Sequence, residues 1–361
     1  MTLYVLLLVS MMATVFCVIF IRPVAQKIGL VDMPDKRKHH AGNIPLVGGI
    51  AVIFGFSCAM LLADFSLRPY RGLFFGCALL LLVGVADDFK EKSPMIRLMV
   101  QLLVGVIMVF SDGAILTNFG NIFGFGDVHA YYWLGFLMTI VVVLAMINAI
   151  NMLDGQDGLM GGVSVIQFAL MACLAYITHA QNELVVLLIL ISALMGFLYF
   201  NVQLPWRKHA NIFMGDGGST VIGYITVWFA IHLSQSVAYT SDVKPVTFLW
   251  ILALPIFDLI AVFARRVVRG NSPFLADRRH IHHVIHRAGI DVKVSTLMML
   301  GFVLVCGVFG IIGSMAHLSQ ALMFALFLAM LLLYLCSISF ADHYITRKSS
   351  EIDQYGIQGN S

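Results

Sequence analysis

The chain has 361 residues, 60% of them hydrophobic and only 11% charged, with a mean hydropathy of +0.93. Soluble domains run at about 45–50% apolar and about 25% charged, so the composition excludes an ordinary water-soluble fold. The net charge of +3 is small, its distribution matters more than its total, and no nucleic-acid partner is expected.

The chain opens on MTLYVLLLVSMMATVFCVIFIRP, which lacks a basic leader and carries its positive charges after the apolar run. That order predicts an uncleaved anchor. A span needs roughly 20 mainly apolar residues, and eleven segments qualify: 3–21, 44–63, 70–86, 95–111, 130–147, 159–178, 183–200, 212–233, 246–264, 295–313 and 319–340. They are too long and too uniformly apolar for barrel strands. The expected fold is an all-α polytopic membrane protein of about eleven transmembrane helices, one catalytic domain over 1–340 with a short cytoplasmic tail at 341–361. No internal repeat is visible. The six cysteines all lie inside apolar runs without CxxC spacing, so neither a disulfide nor a thiol-bound metal is expected.

Of the 22 Lys and Arg residues, 19 fall on the side that holds loops 22–43, 87–97, 201–211 and 265–293 and the tail. Arg68, Arg71 and Lys244 fall on the other. The positive-inside rule makes the first side cytoplasmic, with the N-terminus outside. The polar motifs of the chain all fall on that cytoplasmic side.

The first motif is VGVADDFKEKSPMIR (83–97), where Asp87 and Asp88 end a hydrophobic helix ahead of Lys90, Lys92 and Arg97. A solvated helix end with paired charges is the plain alternative. Acids beside a bilayer are functional candidates by default, and paired carboxylates suit Mg²⁺, which leaves part of its shell to phosphate and water. The second is NAINMLDGQDG, where Asn148, Asn151 and Asp154 recur every three residues on one helix face. Gly155 and Gly158 then loosen the backbone so that Asp157 can turn to the same space. Such amides and carboxylates ligate a hard cation or read a nucleobase and sugar hydroxyls; a capped glycine turn uses only one such side chain.

NIFMGDGGSTVIG places Asp216 in a glycine-rich helix start, where backbone N–H groups can meet phosphate oxygens. It lacks the Walker A lysine and is no P-loop. In the last cytoplasmic loop Arg265, Arg266, Arg269, Arg278 and Arg279 accompany His280, His282, His283 and His286. Polybasic loops also face anionic lipid, but three histidines in HIHH beside paired arginines fit a polyphosphate better. Together the motifs describe a membrane-surface site for a metal-bound diphosphate, one of whose substrates is a lipid.

At LVDMPDKRKHHAGNIPLVGG, ADDFKEKSPMIRLMVQ, NAINMLDGQDGLMGG, NIFMGDGGST and RRVVRGNSPFLADRRHIHH, in this order, the chain resembles the polyprenyl-phosphate N-acetylhexosamine-1-phosphate transferases. The resemblance implies that UDP-GlcNAc and undecaprenyl phosphate give GlcNAc-diphosphoundecaprenol and UMP, with Mg²⁺ or Mn²⁺ as substitute, at the first membrane step of O-antigen-type glycan synthesis. It implies a bacterial inner-membrane setting, with the bilayer as a partner and a homodimer among the allowed states.

By position, the resemblance makes Asp87 and Asp88 the acidic pair, one of them a base or orienter for the lipid phosphate and both candidate metal ligands with Asn151 and Asp216. Asp154 and Asp157 match the nucleotide-sugar site and, with His282, join the catalytic candidates. Arg265, Arg279, His280, His282 and His283 match the diphosphate loop. Lys38 and His40 match a basic segment of the first cytoplasmic loop, and Lys90, Arg97 and Asn148 complete the substrate-binding candidates. Direct attack and a covalent aspartyl intermediate both stay open.

The related enzymes that take UDP-MurNAc-pentapeptide typically carry three consecutive histidines, whereas Ile281 interrupts HIHH here. That points to an unmodified amino sugar. A transporter would place its binding groups near the midplane between repeats. Only Asp258 lies inside a predicted span in that way, and a partner on a neighbouring helix accounts for it equally well.

Overall fold

A computed structural model describes residues 1–32, 43–207, 209–237, 243–268, 270 and 281–357, without the side chains of His282, His283 and residues 342–357. All eleven predicted segments are helical. They are α1 (Leu3–Ile28), α2 (Gly48–Met60), α3 (Arg71–Phe89), α4 (Pro94–Asp112), α5 (Tyr132–Leu153), α6 (Leu159–Ile177), α7 (Gln181–Asn201), α8 (Gly215–Val237), the pair α9 (Pro245–Ile251) and α10 (Ala253–Val268), α12 (Val292–Met315) and α13 (Gln320–Ile357). A short α11 (Ile281–Arg287) lies in the last large loop. Two small antiparallel ladders, Val31–Asp32 with Ile44–Pro45 and Asn118–Gly120 with Val128–His129, are the paired strands among the described residues.

Eight helices are long and apolar enough to cross a bilayer, and a ninth span results if α9 and α10 count as one. Two of the eleven predicted spans, α2 and α8, fall outside that criterion of length and apolarity. Helix α2 has 13 residues, about 20 Å of rise against a hydrocarbon core of about 30 Å. Helix α8 has 23 residues but carries Asp216, Ser219, Thr220, Thr226, His232, Ser234 and Gln235. Its polarity is tolerable because it packs against α2, α3, α5, α6 and α9 and hides nearly all of its surface.

The pair α9 and α10 bends by 74°. Pro255 explains the break, since it lacks the N–H that would reach the carbonyl of Ile251. Gln167 of α6 takes over that carbonyl with its Nε2 at 3.3 Å.

Helix ends are tied at two levels. At one end Asp88 meets α8, Asp157 meets the loop after α7, and Gln156 donates to Val292 at the start of α12. At the other, Glu183 of α7 accepts from Tyr70 and pairs with His232 at 3.2 Å, and Asp112 accepts from Trp228 at 2.9 Å. Apolar side chains gain little from leaving lipid, so helices in a membrane associate through close packing of small residues. The α3–α8 contact does this: a Cβ on Gly84 would lie 2.1 Å from the Cα of Gly217.

Gly84→Ala should therefore wedge α3 from α8, at a cost of about 1–3 kcal/mol or more. Thermal unfolding in detergent checks this, with Gly301→Ala in α12 as the control, since nothing lies within 4 Å of its added Cβ. An unchanged melting temperature for Gly84→Ala would contradict the packing.

Candidate active site

The two adjacent acids at the end of α3 separate in function because neighbours on a helix point apart. Asp87 is buried. Its Oδ1 accepts from the Lys92 amide at 2.5 Å and its Oδ2 from Arg97 Nη1 at 3.3 Å. It thereby closes the turn into α4, which Ser93 caps by accepting from the Ile96 amide. Asp88 points to α8 and accepts from the Asp216 amide at 3.0 Å. A carboxylate at a helix N-terminus meets unsatisfied N–H groups and the positive end of the dipole. The approach needs Gly215, whose φ is +79° and where a Cβ would lie 2.6 Å from Asp88 Oδ2.

The end of α5 completes the cluster. Asn151 Oδ1 accepts from Ser219 Oγ of α8 at 2.6 Å. Asp154 follows the last residue of α5, and burial pushes its carboxyl well above the usual carboxylate range, with the charges of Asp216, Asp88 and Asp157 adding to the effect. Asp157 turns to the loop after α7, where its Oδ2 accepts from Gln203 Nε2 at 3.0 Å and from the Ala210 amide at 3.1 Å. Arg97 spans the group, 3.3 Å from Asp87 and 3.6 Å from Asp216.

Thus Asp87, Asp88, Arg97, Asn151, Asp154, Asp157 and Asp216 come together. Asn148 does not join them through its NH₂: that group donates to Gln101 of α4 at 2.8 Å and to the Leu144 carbonyl, and serves helix packing. Lys90 is exposed just beyond α3. Arg265 sits in the last turn of α10. Lys38, His40, Arg279 and His280 lie outside the described residues, as do the side chains of His282 and His283.

The helix α11 that holds the second half of HIHH is docked by Asp258, which accepts from the Ile281 amide at 3.0 Å and from Tyr334 at 3.4 Å. Asp258 is thus a helix partner. Gln156, Gln203 and Ser219 were not singled out by the sequence. Gln156 lies inside the DGQDG motif and ties it to Val292 and Thr296 of α12 at 2.8 and 2.5 Å. Its uncharged amide gives no charge pattern to notice.

Among the described residues no three His, Cys, Asp or Glu side chains converge on one point. An all-protein cage is therefore not what the site offers. Mg²⁺ typically takes one or two carboxylates and fills its shell with water and substrate phosphates. Asp88, Asp154, Asp216 and the Asn151 amide fit that demand: three acids within electrostatic reach, with the proton affinity of Asp154 raised by burial and by the other two.

The model of the glycosyl transferase family 4 matches residues 70–234, which run from α3 to α8 and so include all of these carboxylates. Undecaprenyl-phosphate alpha-N-acetylglucosaminyl 1-phosphate transferase of Yersinia pestis is 38% identical over 315 residues, 87% of this chain and 85% of the relative. The proteins of the same name from Escherichia coli (strain K12) and Haemophilus influenzae are each 35% identical, over 89% and 92% of this chain and 87% and 93% of their own lengths.

Since the folded state raises the proton affinity of Asp154, the cost of burying its charge is absent below the unfolded pKa and complete above the folded one. Asp154→Asn should raise the melting temperature of the metal-free protein more near pH 8 than near pH 5. Melting curves at the two pH values check it; a gain independent of pH, or a loss, would contradict the buried charge.

Proposed function

Because the chain belongs to glycosyl transferase family 4, we propose that it transfers GlcNAc-1-phosphate from UDP-GlcNAc to undecaprenyl phosphate, releasing UMP. The observation that carries this reading is similarity along nearly the whole chain to proteins of that name, with the matched region centred on the carboxylate cluster. An oxygen of the lipid phosphate attacks the phosphorus that bears the sugar. The bond from that phosphorus to the UMP oxygen breaks, and the sugar phosphate ends on the lipid.

Catalysis of such a transfer is mostly positioning and neutralisation of charge. A divalent ion, Mg²⁺ or Mn²⁺, would be held by one or two of Asp88, Asp154 and Asp216 with the Asn151 amide, and would neutralise the diphosphate. Asp88 takes the role of base or orienter for the lipid phosphate, because its partner Asp87 is committed to the Lys92 amide and Arg97. Arg97 takes the lipid phosphate in this reading, which its partial exposure between Asp87 and Asp216 supports. Asp157 ties the loop after α7 to the cluster and serves the nucleotide sugar. Arg265 and the histidines 280, 282 and 283 serve the diphosphate from the last loop.

The reading places the chain in the bacterial inner membrane with this cluster in the cytoplasm, the N-terminus periplasmic and the C-terminus cytoplasmic. The unequal split of Lys and Arg supports it. In a cysteine-free background, a cysteine at Ser66 should react with an impermeant reagent added to spheroplasts and one at Ser93 should not. The reverse pattern would invert the site.

Purified protein should release UMP from UDP-GlcNAc only with undecaprenyl phosphate and Mg²⁺ present, and Asp88→Asn and Asp216→Asn should each lower kcat about 10²-fold or more. In competition, UDP-GlcNAc should be consumed and UDP-MurNAc-pentapeptide left. Preferential use of the pentapeptide substrate would overturn the sugar assignment, and full turnover in both variants would remove these acids from the chemistry.

A further inference from the structure

A cavity of about 320 Å³ opens beside the carboxylate cluster and uses none of its side chains. Its polar walls are Arg22 near the end of α1, Asn43 at the edge of the first small ladder, and Arg207, His209 and Asn211 of the loop between α7 and α8. No carboxylate is among its described lining residues. Arg207 is fixed there: its Nη2 donates to the carbonyls of Val202, at 2.7 Å, and Tyr199, and its guanidinium lies over the Tyr199 ring, 5.8 Å from the centroid. Arg22 makes no hydrogen bond or ion pair with a described residue, and its charge opposes that of Arg207. Asp157 acts on Arg207 from behind the Ala210 wall, but two guanidiniums that face one half-enclosed space with no carboxylate among its described lining residues leave room for an anion.

The surroundings indicate where the anion comes from. Arg22 rides on a helix whose Ile19, Phe20 and Val24 are exposed and therefore lipid-facing. Trp206, 77% exposed, and Tyr199 stand next to Arg207; aromatic rings of this kind gather at membrane–water interfaces. The volume is at the lower end of the roughly 300–1,000 Å³ of ligand pockets and suits a lipid headgroup.

We propose that this cavity binds the phosphate of a membrane lipid, with Arg22, Arg207 and His209 around the charge and Asn43 and Asn211 donating to its remaining oxygens. Guanidinium–phosphate contacts are the strong, charge-assisted kind. The site goes beyond the transfer reaction and is built from other side chains. It borders that reaction at one point, since the Ala210 amide that holds Asp157 belongs to the cavity wall. An occupied cavity braces that loop.

The test uses full-length protein in mixed phosphatidylglycerol and phosphatidylcholine micelles, with retained phosphatidylglycerol counted by native mass spectrometry. Arg22→Gln should retain about tenfold less or lower, the scale of a lost hydrogen bond to a charged group, and His209→Gln should also retain less. Arg68→Gln, which removes the same charge from the opposite end, should match the wild type. Neither inorganic phosphate nor UMP, added separately, should displace the lipid. Equal retention in Arg22→Gln and His209→Gln overturns the proposal. Displacement by UMP would give the cavity to the nucleotide, and displacement by inorganic phosphate to a free anion; either result overturns the lipid assignment. A melting curve for each variant separates lost binding from lost folding, and His209→Gln decides the matter if Arg22→Gln does not fold.

Discussion

The amide of Asp216 lies 3.0 Å from Asp88, and this contact is possible only where two helices approach without side chains between them. Gly84 and Gly217 let α3 and α8 meet, and Gly215 keeps the space that Asp88 occupies. Helix α8 is then fixed from a second direction by Ser219 on Asn151 of α5. Three helices far apart in sequence thus bring their acids to one level of the membrane. Without this glycine seam the carboxylates would sit on separate helix ends, each exposed to water and none able to share a phosphate-bound ion.

The two ends of the helix bundle make a physical contrast. At the end away from the cluster, the ionisable groups are matched: Glu183 with His232 and Tyr70, and Asp112 with Trp228 and the Gly72 amide. Such pairs hold helices together. At the other end Asp216, Asp88 and Asp157 raise the cost of charge on Asp154, and Arg97 pairs with Asp216 at 3.6 Å. Acids that raise the charging cost of a neighbour have an affinity for positive charge, and perturbed groups of this kind gather at functional sites. The cavity of Arg22 and Arg207 is the opposite case: two guanidiniums with no carboxylate among its described lining residues.

Much of this was legible in the sequence. Apolar runs located all eleven helical segments, because hydropathy is set by length and composition alone. Their function as spans was less legible where tertiary contacts decide: α2 is cut short by the ladder before it, α8 survives its polarity by being buried, and Pro255 bends the next segment. At the site, the carboxylates and Asn151 stood out by charge and spacing. Asn148 shared that spacing, but its partner Gln101 lies 47 residues away and gave no signal. Gln156, Gln203 and Ser219 were missed for the same reason, since a neutral side chain announces its role only through its neighbour.

The central claim is that the ends of α3 and α5 and the start of α8 form one cation and diphosphate site. Crystals grown with Mn²⁺ and UMP test it most directly, through anomalous scattering at the manganese edge. A single strong peak is expected among Asp88, Asn151, Asp154 and Asp216, and it should vanish in Asp216→Asn. A peak elsewhere, such as on the histidines of α11, or one that persists unchanged in the variant, would contradict it.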